Sequence, residues 1–466
     1  MKKSRLLSLF LTLLLALSLA SPFALAAGES SSSAILDSMV VDAKAAVLVD
    51  PDTDEILYEL NAHEKMYPAS ITKVMTCLLT LEAVDAGQLT LEQTVTASQA
   101  IHTGIGDNAS TADIKAGEEI RIIDLLYAAL LPSANEACNV MAEAVSGDVA
   151  SFVELMNQRA AELGMTGTHF ANTHGYHDDN HYTTAYDVYL MSKEAMKHET
   201  FRTIVSSLNY TMPATNLHPE ERIIRSTNAL ISNFRITGYL YRYATGIKTG
   251  STPEAGYCLA ASATKEDRNL ISVVMGCERE EGATGSAGYT YFSESSRLLE
   301  WGFNNFSRQV MLDGTKRDIP EVEVTLGKDT NYVTLAPQGE ISALLPNDVS
   351  TEDLKYDYTL NAKSVEAPVE QGQQLGAISV SFNGQTYGTL PLVASISVER
   401  DPWLYRLDRL EKFFGQLWVK VLLVAILILV VFLVLRRLLF GSRRGRYGSH
   451  SGGGRRSRYT GSRRHR

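Results

Sequence analysis

The chain has 466 residues, of which 45% are hydrophobic and 21% charged, and its formal net charge is −10. Eleven arginines and no acid lie from Arg436 to the end, so the rest of the chain is more acidic than the total indicates. An acidic body argues against nucleic acid as a partner. Four cysteines without a close CxxC pair argue against zinc-ribbon and thioredoxin-like sites.

The N-terminus has the pattern of a secretory signal peptide. Lys2, Lys3 and Arg5 precede an apolar run from Leu6 to Ala20, and small residues follow at Ala24 and Ala26. A basic start, a short apolar stretch and a small-x-small end are typical of a cleaved export signal. We therefore predict a signal peptide over 1–26 and a Ser-rich linker over 27–39.

Alternating strand and helix patterns predict an α+β domain over residues 40–308. Apolar runs with turn residues between them predict a hairpin at the start of this domain and three more strands near its end. Apolar residues at helical spacing fill the middle of the domain and close it. The predicted strands are 45–50, 55–59, 243–248, 257–263 and 270–276; helices are predicted over 70–86 and 292–303, and helix-rich sequence over 121–145 and 152–163. Helices packed on an antiparallel sheet are the expected arrangement.

The composition changes after residue 310 to short alternating strands. Segments such as 321–326 and 377–382 alternate apolar and polar residues, and Asn383-Gly384 is a typical hairpin turn. We predict a small β-sandwich over 310–398. Because no cluster of chemically reactive side chains lies in this segment, we expect it to serve as a spacer domain.

The C-terminal segment predicts a membrane anchor. Residues 401–416 have apolar side chains at helical spacing and predict an interfacial amphipathic helix. Residues 417–435 carry no charge but Lys420 and would form a helix about 28 Å long, close to the ~30 Å hydrocarbon thickness. The Arg/Gly/Ser-rich tail over 436–466 marks the cytoplasmic side. The sequence therefore predicts a single-pass cell-membrane protein with its large domains outside and a tail that contacts anionic lipid.

Ser70 and Lys73 form an S-x-x-K pattern at the start of a predicted helix. Positions i and i+3 share one helix face, so the Lys73 amine can reach the Ser70 hydroxyl. A serine needs a neighbouring base to act as a nucleophile. Lys73 can be that base if burial or a nearby positive charge lowers its pKa.

Two further short motifs follow in the chain. Ser133 and Asn135 lie in a predicted loop between helices, where Ser133 can pass a proton and Asn135 can hold Lys73 and a substrate amide. Lys248-Thr249-Gly250-Ser251 continues a predicted strand. The edge of such a strand can bind extended peptide, Gly250 permits close backbone approach, and Lys248 supplies positive charge beside Lys73.

In this order and spacing the three motifs are specific, and the chain resembles the serine D-alanyl-D-alanine carboxypeptidases of the low-molecular-mass penicillin-binding proteins. The resemblance extends around each motif and covers about residues 40–305. It is carried by segments 67–76, 131–137, 181–187, and 246–252 with 255–257.

The resemblance implies a penicillin-binding or serine β-lactamase-like fold and a peptidase that trims peptidoglycan stem peptides ending in D-Ala-D-Ala. It implies an acyl-enzyme on Ser70, with Lys73 and Ser133 as further catalytic residues and β-lactams as covalent inhibitors. Backbone N–H groups of Ser70 and Ser251 would form the oxyanion hole. The implied substrate-binding residues are Asn135, Lys248, Thr249, Gly250 and Ser251. No cofactor and no metal are expected.

Two departures from the family pattern are visible. Many relatives end in a peripheral amphipathic helix, whereas this chain adds a full span and an arginine tail. Segment 277–282 is acidic where relatives tend to be basic. This leaves the arginine that would bind the substrate carboxylate open, with Arg279 as the first candidate and Arg268 as the second.

Three other interpretations were weighed. His177 and His181 could ligate a metal, although their loop-like surroundings favour solvated or capping side chains. A serine β-lactamase shares the three motifs but needs a deacylating glutamate with an asparagine four residues later, and Glu154 is followed by Asn157 at three. An inactive scaffold that binds muropeptide would have no need of Ser70, Lys73, Ser133 and Lys248 together.

The four cysteines lie in apolar runs, which favours buried free thiols over disulfides.

Overall fold

The computed structural model describes residues 33–106, 108–316 and 318–440. The predicted signal peptide 1–26 and the tail from residue 441 on lie outside the described residues. The chain divides into two compact units. One unit holds the chain up to Thr315 together with Gln338–Asp357 and Ile378–Leu390, and the other holds Lys316–Pro337, Tyr358–Ala377 and the chain from Pro391 on. The predicted boundary between 308 and 310 stays a prediction.

The described residues contain helices in each segment where the sequence predicts them and three further helices, over 34–37, 185–195 and 199–205, that it does not predict; a one-turn 3₁₀ helix over Ala69–Thr72 precedes the first long helix. The α-helices are α1 Ala34–Asp37, α2 Lys73–Asp85, α3 Ile122–Leu130, α4 Asn135–Ser146, α5 Val149–Glu162, α6 Ala185–Ala195, α7 Glu199–Val205, α8 Thr290–Asn305, α9 Pro402–Gly415 and α10 Leu417–Phe440.

The strands before residue 280 carry the predicted hairpin and the three later runs. They are β1 Ala45–Asp50, β2 Glu55–Leu60, β3 Thr94–Thr96, β4 Glu119–Arg121, β5 Asn209–Met212, β6 Arg222–Arg225, β7 Ala244–Thr252, β8 Gly256–Lys265 and β9 Arg268–Cys277. The strands after residue 305 are β10 Phe306–Leu312, β11 Val322–Thr325, β12 Tyr332–Val333, β13 Leu335–Pro337, β14 Ile341–Pro346, β15 Lys355–Leu360, β16 Ser364–Glu366, β17 Gln374–Phe382 and β18 Gln385–Ala394.

A five-stranded antiparallel sheet in the order β2-β1-β9-β8-β7 is the centre of the first unit. Alternate side chains of its strands point to opposite faces. Ile271, Val273 and Met275 of β9 join one hydrophobic core with α2 to α6, while Leu270 and Val274 join a second core with α8. Both faces are therefore covered by helices, which explains why β1 and β9 are apolar along most of their length rather than alternating.

Strand β7 is the last strand of this sheet, so one of its edges has no strand partner among the described residues. The 3₁₀ turn Ala69–Thr72 packs beside β7. A Cβ on Gly250 would lie 2.8 Å from the Pro68 carbonyl oxygen and 3.1 Å from the Ser70 nitrogen. Glycine is required there because it lets the β7 backbone approach the turn that carries Ser70.

The segment after residue 305 is rich in short strands, as the sequence predicts. Within it β10 pairs with β14, β11 lies between β12 and β16, and β13, β18, β17 and β15 form a four-stranded sheet in that order. Helix α9 begins at Pro402, capped by Asp401, and leaves apolar side chains such as Trp403 and Leu410 exposed. Residues Leu417–Leu439 of α10 form a helix long and apolar enough to cross a membrane.

The four cysteines, Cys77, Cys138, Cys258 and Cys277, are buried free thiols. Burial raises the pKa of each thiol, to about 11 for Cys258 and about 12 for Cys138 and Cys277. The interpretation of the cysteines as packed apolar residues, and not as disulfides, is confirmed.

Candidate active site

Ser70 lies on the 3₁₀ turn that leads into α2, and Lys73 is the first residue of α2. One turn separates the two residues, so their side chains lie on the same side of the helix, as the spacing predicts. The Lys73 Nζ atom is 2.9 Å from Ser70 Oγ. The first motif therefore places a hydroxyl and an amine at hydrogen-bond distance, the geometry that a nucleophile and its base require.

Three oxygen atoms surround the Lys73 amine. Besides Ser70 Oγ, Lys73 Nζ donates to Asn135 Oδ1 at 2.6 Å and to the His174 carbonyl at 2.7 Å. A neutral amine has two N–H bonds and one lone pair. The asparagine and the carbonyl accept its two hydrogens, which leaves the lone pair free to receive the Ser70 hydroxyl proton.

Burial makes the neutral form of Lys73 accessible. The side chain is fully buried, and desolvation lowers the pKa of Lys73 to about 8. The amine therefore titrates close to neutral pH, where a general base is most effective.

Ser133 lies in the short connection between α3 and α4, where the sequence places it, whereas Asn135 is the first residue of α4. Ser133 has φ +69°, a left-handed conformation that is costly for a non-glycine residue. Its Oγ atom is buried and has no hydrogen-bond partner among the described residues. Because an unpaired buried hydroxyl costs free energy, a ligand that forms a hydrogen bond to Ser133 Oγ would offset this cost.

Lys248 lies on β7 and is fully buried. Its Nζ atom donates to the Thr249 carbonyl at 3.0 Å. Burial first, and then the charge of Lys73, lower the pKa of Lys248 well below its usual range. The two amines therefore disfavour carrying protons at the same time. The positive charge that the sequence assigns to Lys248 stays a prediction, and an anion beside it would stabilise that charge.

The remaining residues of the third motif lie along the same strand. The hydroxyls of Thr249 and Thr227 are 2.7 Å apart, and Ser251 is exposed near the end of β7. Ser251 and Thr252 line a cavity of about 650 Å³ that also includes Arg279. The structure thus brings Lys73 into direct contact with Ser70 and Asn135 and places the backbone of Gly250 against the turn that carries Ser70.

The two candidate arginines lie at opposite ends of the sheet. Arg279 borders the cavity beside Ser251, where its guanidinium donates to the Gly285 carbonyl at 2.6 Å and stacks 4.6 Å from the Tyr289 ring. Arg268 lies at the other end of β9 and donates to the Phe306 carbonyl at 2.8 Å. The second candidate was wrong. Arg268 pairs with Lys265 at the turn between β8 and β9, which lies at the end of these strands opposite to Ser251.

The structure corrects one part of the sequence interpretation of His181. The ring is buried, so it is not a solvated side chain, and it bonds to Thr72 Oγ1 at 2.8 Å. In the described residues no group of three His, Cys, Asp or Glu side chains is placed to hold a metal ion. His177 lies apart, against the Tyr67 ring and 3.4 Å from Asp179.

Sequence reasoning missed two contributors to the site. The His174 carbonyl is a backbone group, so no side-chain motif points to it. Arg235 is exposed, yet its charge adds to the lowering of the Lys248 pKa. For the His174 carbonyl, the available signal was the glycine that follows it, Gly175, which adopts φ +81°. A Cβ there would lie 1.8 Å from the Ala69 carbonyl oxygen, so the loop that carries His174 must approach the Ser70 turn through a glycine.

Comparison with known proteins gives matches over most of the chain. Residues 31–279 match the D-alanyl-D-alanine carboxypeptidase family, peptidase S11, and residues 315–400 match the C-terminal domain of penicillin-binding protein 5. The chain is 30% identical over 369 residues to D-alanyl-D-alanine carboxypeptidase DacF of Bacillus subtilis, a match that covers 79% of this chain and 89% of the relative.

Two further matches agree with these. The chain is 31% identical over 390 residues to D-alanyl-D-alanine carboxypeptidase DacC of Escherichia coli, which covers 81% of this chain and 87% of the relative. The crystal structure of penicillin-binding protein 5 from Haemophilus influenzae superposes with a TM-score of 0.56 at 29% identity, over 78% of this chain and 99% of that one. The fold class predicted from the sequence is confirmed.

Proposed function

The chain belongs to the D-alanyl-D-alanine carboxypeptidase family, and we propose that it removes the terminal D-alanine from peptidoglycan stem peptides through an acyl-enzyme on Ser70. Family membership makes it a serine-type hydrolase of peptidoglycan metabolism and a penicillin-binding protein that binds β-lactams. The family membership inferred from the three motifs is thereby confirmed. The roles of individual residues are our proposal.

The contact set of Lys73 carries the proposal. With its two hydrogens held by Asn135 Oδ1 and the His174 carbonyl, the amine directs its lone pair at Ser70 Oγ, 2.9 Å away. Lys73 takes the hydroxyl proton while Ser70 Oγ attacks the carbonyl of the penultimate D-alanine. The N–H groups of Ser70 and Ser251 stabilise the oxyanion.

Collapse of the tetrahedral intermediate requires a proton on the leaving amine. We propose that this proton passes from Lys73 through Ser133, whose buried hydroxyl has no partner among the described residues. The C–N bond then breaks, D-alanine leaves, and the acyl group stays on Ser70. Water, activated by the same base, hydrolyses the ester and returns the proton to Ser70.

Recognition of the terminal carboxylate falls to β7 in this proposal. Thr249 and Ser251 hold the carboxylate with Lys248 beneath them, and Arg279 borders the same end of the strand. A carboxylate beside the buried Lys248 amine favours its protonated form, and that charge in turn disfavours a proton on Lys73. Substrate binding thus prepares the base, because the two amines compete for a proton.

We predict that acylation rises with pH through about 8. Lys73 acts when neutral, and its pKa lies at about 8, so the rate falls below that pH as the amine takes up a proton. The rate of acylation by penicillin under subsaturating conditions, measured from pH 6 to 9.5, should increase roughly tenfold between pH 7 and pH 9. A flat profile over this range would exclude Lys73 as the base.

The β-lactamase alternative finds no support at Glu154. This side chain is exposed on α5, and Asn157 is used to bind the backbone of Phe170 at 2.8 Å through both its amide atoms. The inactive-scaffold alternative is disfavoured by the intact bonds between Ser70, Lys73 and Asn135.

We further propose that the chain is held at the outer face of the cell membrane. Helix α10 crosses the bilayer, α9 lies with its apolar side chains in the interface, and the β-rich segment 310–398 is a spacer that holds the active site toward the wall. Each arginine of the tail near an anionic cytoplasmic leaflet contributes about 1 kcal/mol, so the opposite orientation is strongly disfavoured. The signal peptide 1–26 directs export in this proposal.

We expect external protease to remove the α+β domain from intact cells while an epitope at the C-terminus stays protected. A chain ending at residue 400 should be soluble and should hydrolyse a D-Ala-D-Ala peptide at a rate near that of the full chain in detergent. Protection of the α+β domain would contradict the topology. A folded but inactive truncated chain would show that the omitted C-terminal helices contribute to activity.

A further inference from the structure

The hydrogen-bond partners of His181 determine its tautomer. Nδ1 accepts from the backbone N–H groups of Ala171 at 3.0 Å and Asn172 at 3.3 Å, so it carries no proton. The hydrogen of the neutral ring is therefore on Nε2, which lies 2.8 Å from Thr72 Oγ1. Because Thr72 Oγ1 donates its own hydrogen to the Ala69 carbonyl at 2.8 Å, it accepts the one from Nε2.

One end of this chain of bonds is the turn of the nucleophile. Thr72 lies between Ser70 and Lys73, and the carbonyl that it holds belongs to Ala69, the residue before Ser70. Ala69 has φ +47°, a conformation that a non-glycine residue keeps only when its surroundings hold it. The His181–Thr72–Ala69 bonds supply that restraint from the side of the loop.

The other end is the acceptor of the base. Ala171 and Asn172 begin the segment that reaches His174, whose carbonyl accepts from Lys73 Nζ at 2.7 Å. Asn172 Oδ1 closes this segment by accepting from the Gly175 N–H at 2.7 Å. A single imidazole ring therefore connects the turn that carries Ser70 to the loop that holds Lys73.

We propose that His181 is a positioning residue, which keeps Ser70 and Lys73 aligned by bonding as the neutral Nε2–H tautomer to Thr72 on one side and to the 171–174 backbone on the other. It acts through Thr72 and through the His174 carbonyl, without contact to the reacting atoms. The inference rests on the proposed function, because it assigns the residue that supports the proposed nucleophile and base.

The surroundings of the ring keep it neutral. Desolvation lowers the pKa of His181 to about 3, with Phe170 packed against the ring at 5.6 Å. Of the charged groups that face it, Asp178 raises this pKa, while His169, Lys73 and His177 lower it. A ring that stays neutral across the working range keeps both bonds at every pH at which the enzyme is assayed.

The test compares His181→Ala, His181→Gln and Thr72→Val in the full-length chain in detergent, with His63→Ala as the control on an exposed histidine. His181→Ala should lower kcat for D-alanine release and the acylation rate by benzylpenicillin about 10- to 100-fold, with KM within twofold. Glutamine can accept from the 171–172 backbone and donate to Thr72, so His181→Gln should recover most of the rate. His63→Ala should match the wild type.

Two readouts separate positioning from a merely structural role. The acid limb of the acylation profile should move to lower pH in His181→Ala, because the carbonyl that stabilises the charged Lys73 amine is less firmly held. The double variant Thr72→Val/His181→Ala should be little slower than either single variant, since both break the same chain of bonds. Rates are expressed per titrated active site, so partial unfolding does not imitate the effect.

The proposal would be overturned if a folded His181→Ala had the wild-type acylation rate and the wild-type pH dependence. It would also be overturned if the rate losses of the two single variants multiplied in the double variant. If His181→Ala does not fold, Thr72→Val and His181→Gln carry the same test, and a wild-type rate in Thr72→Val would overturn the proposal. Failure of the wild type itself to be acylated would contradict the proposed function instead, which distinguishes the two.

Discussion

Replacing Ser70 with alanine should reduce D-alanine release from a pentapeptide stem to background, a loss of at least about 10⁴-fold. In a mechanism through an acyl-enzyme, no other group supplies the oxygen that forms the ester, and removal of a catalytic serine leaves only the contribution of binding and the oxyanion hole. The measurement is the D-alanine released over time by the purified full-length chain, detected with D-amino acid oxidase.

Ser192→Ala is a matched control for this variant. Like Ser70→Ala, Ser192→Ala removes a single hydroxyl; that of Ser192 is buried, has no hydrogen-bond partner among the described residues and lies on α6 outside the three motifs. We expect wild-type activity for Ser192→Ala and thermal unfolding close to that of the wild type for both variants. Substantial D-alanine release by a folded Ser70→Ala would contradict the assignment of the nucleophile.

Replacing Lys73 with methionine should lower the acylation rate by about 10²–10⁴-fold, because a positioned general base contributes about that much. Methionine keeps much of the buried volume, whereas alanine would add a cavity. The noncovalent affinity for penicillin should change little, since Lys73 acts on the Ser70 proton. Stopped-flow acylation kinetics at several penicillin concentrations separate the two quantities.

Lys197→Met is the control for the loss of a lysine at a site of no catalytic role. Lys197 is exposed and pairs with Glu194 at 2.5 Å, and exposed pairs of this kind contribute little. If Lys73→Met is acylated at a near-normal rate, and this rate still falls below about pH 8, Lys73 is not the general base. Ser133 and Lys248 would then be the next candidates.

Much of the fold was predictable because hydrophobic periodicity is local. The buried strand β1 and the helices α3, α5 and α8 lie close to where their apolar patterns place them. Strand β7 continues beyond its apolar pattern, which ends at Lys248, to Thr252, as the placement of the third motif on this strand predicts. Its last residues are polar or glycine, and they remain in the strand because they pair with Gly256–Leu259 of β8.

Helix ends were predicted less well for similar reasons. Helix α10 continues to Phe440, beyond the predicted end at 435, because Arg436 and Arg437 are good helix formers that interrupt hydropathy without interrupting the backbone. At the other end of the chain, the predicted helix start at Ser70 is a 3₁₀ turn, and the α-helix begins at Lys73.

The candidate site divides into residues that sequence can reveal and groups that it cannot. Ser70, Lys73 and Asn135 were found because their side chains carry the chemistry and each belongs to a short, recognisable motif. The His174 carbonyl was not found, since a backbone acceptor has no residue signature, and the Thr72–His181 bond was not found because it joins side chains 109 residues apart in the chain. The burial of His181 arises from packing against Phe170, which is eleven residues away in the chain.

The covalent complex with penicillin tests the central claim most directly. The full-length chain, incubated with benzylpenicillin and analysed by intact mass, should gain one penicillin equivalent. Proteolysis should place that mass on the peptide that contains Ser70, and the Ser70→Ala chain should gain nothing. An adduct on another peptide, or one that persists in Ser70→Ala, would contradict the account.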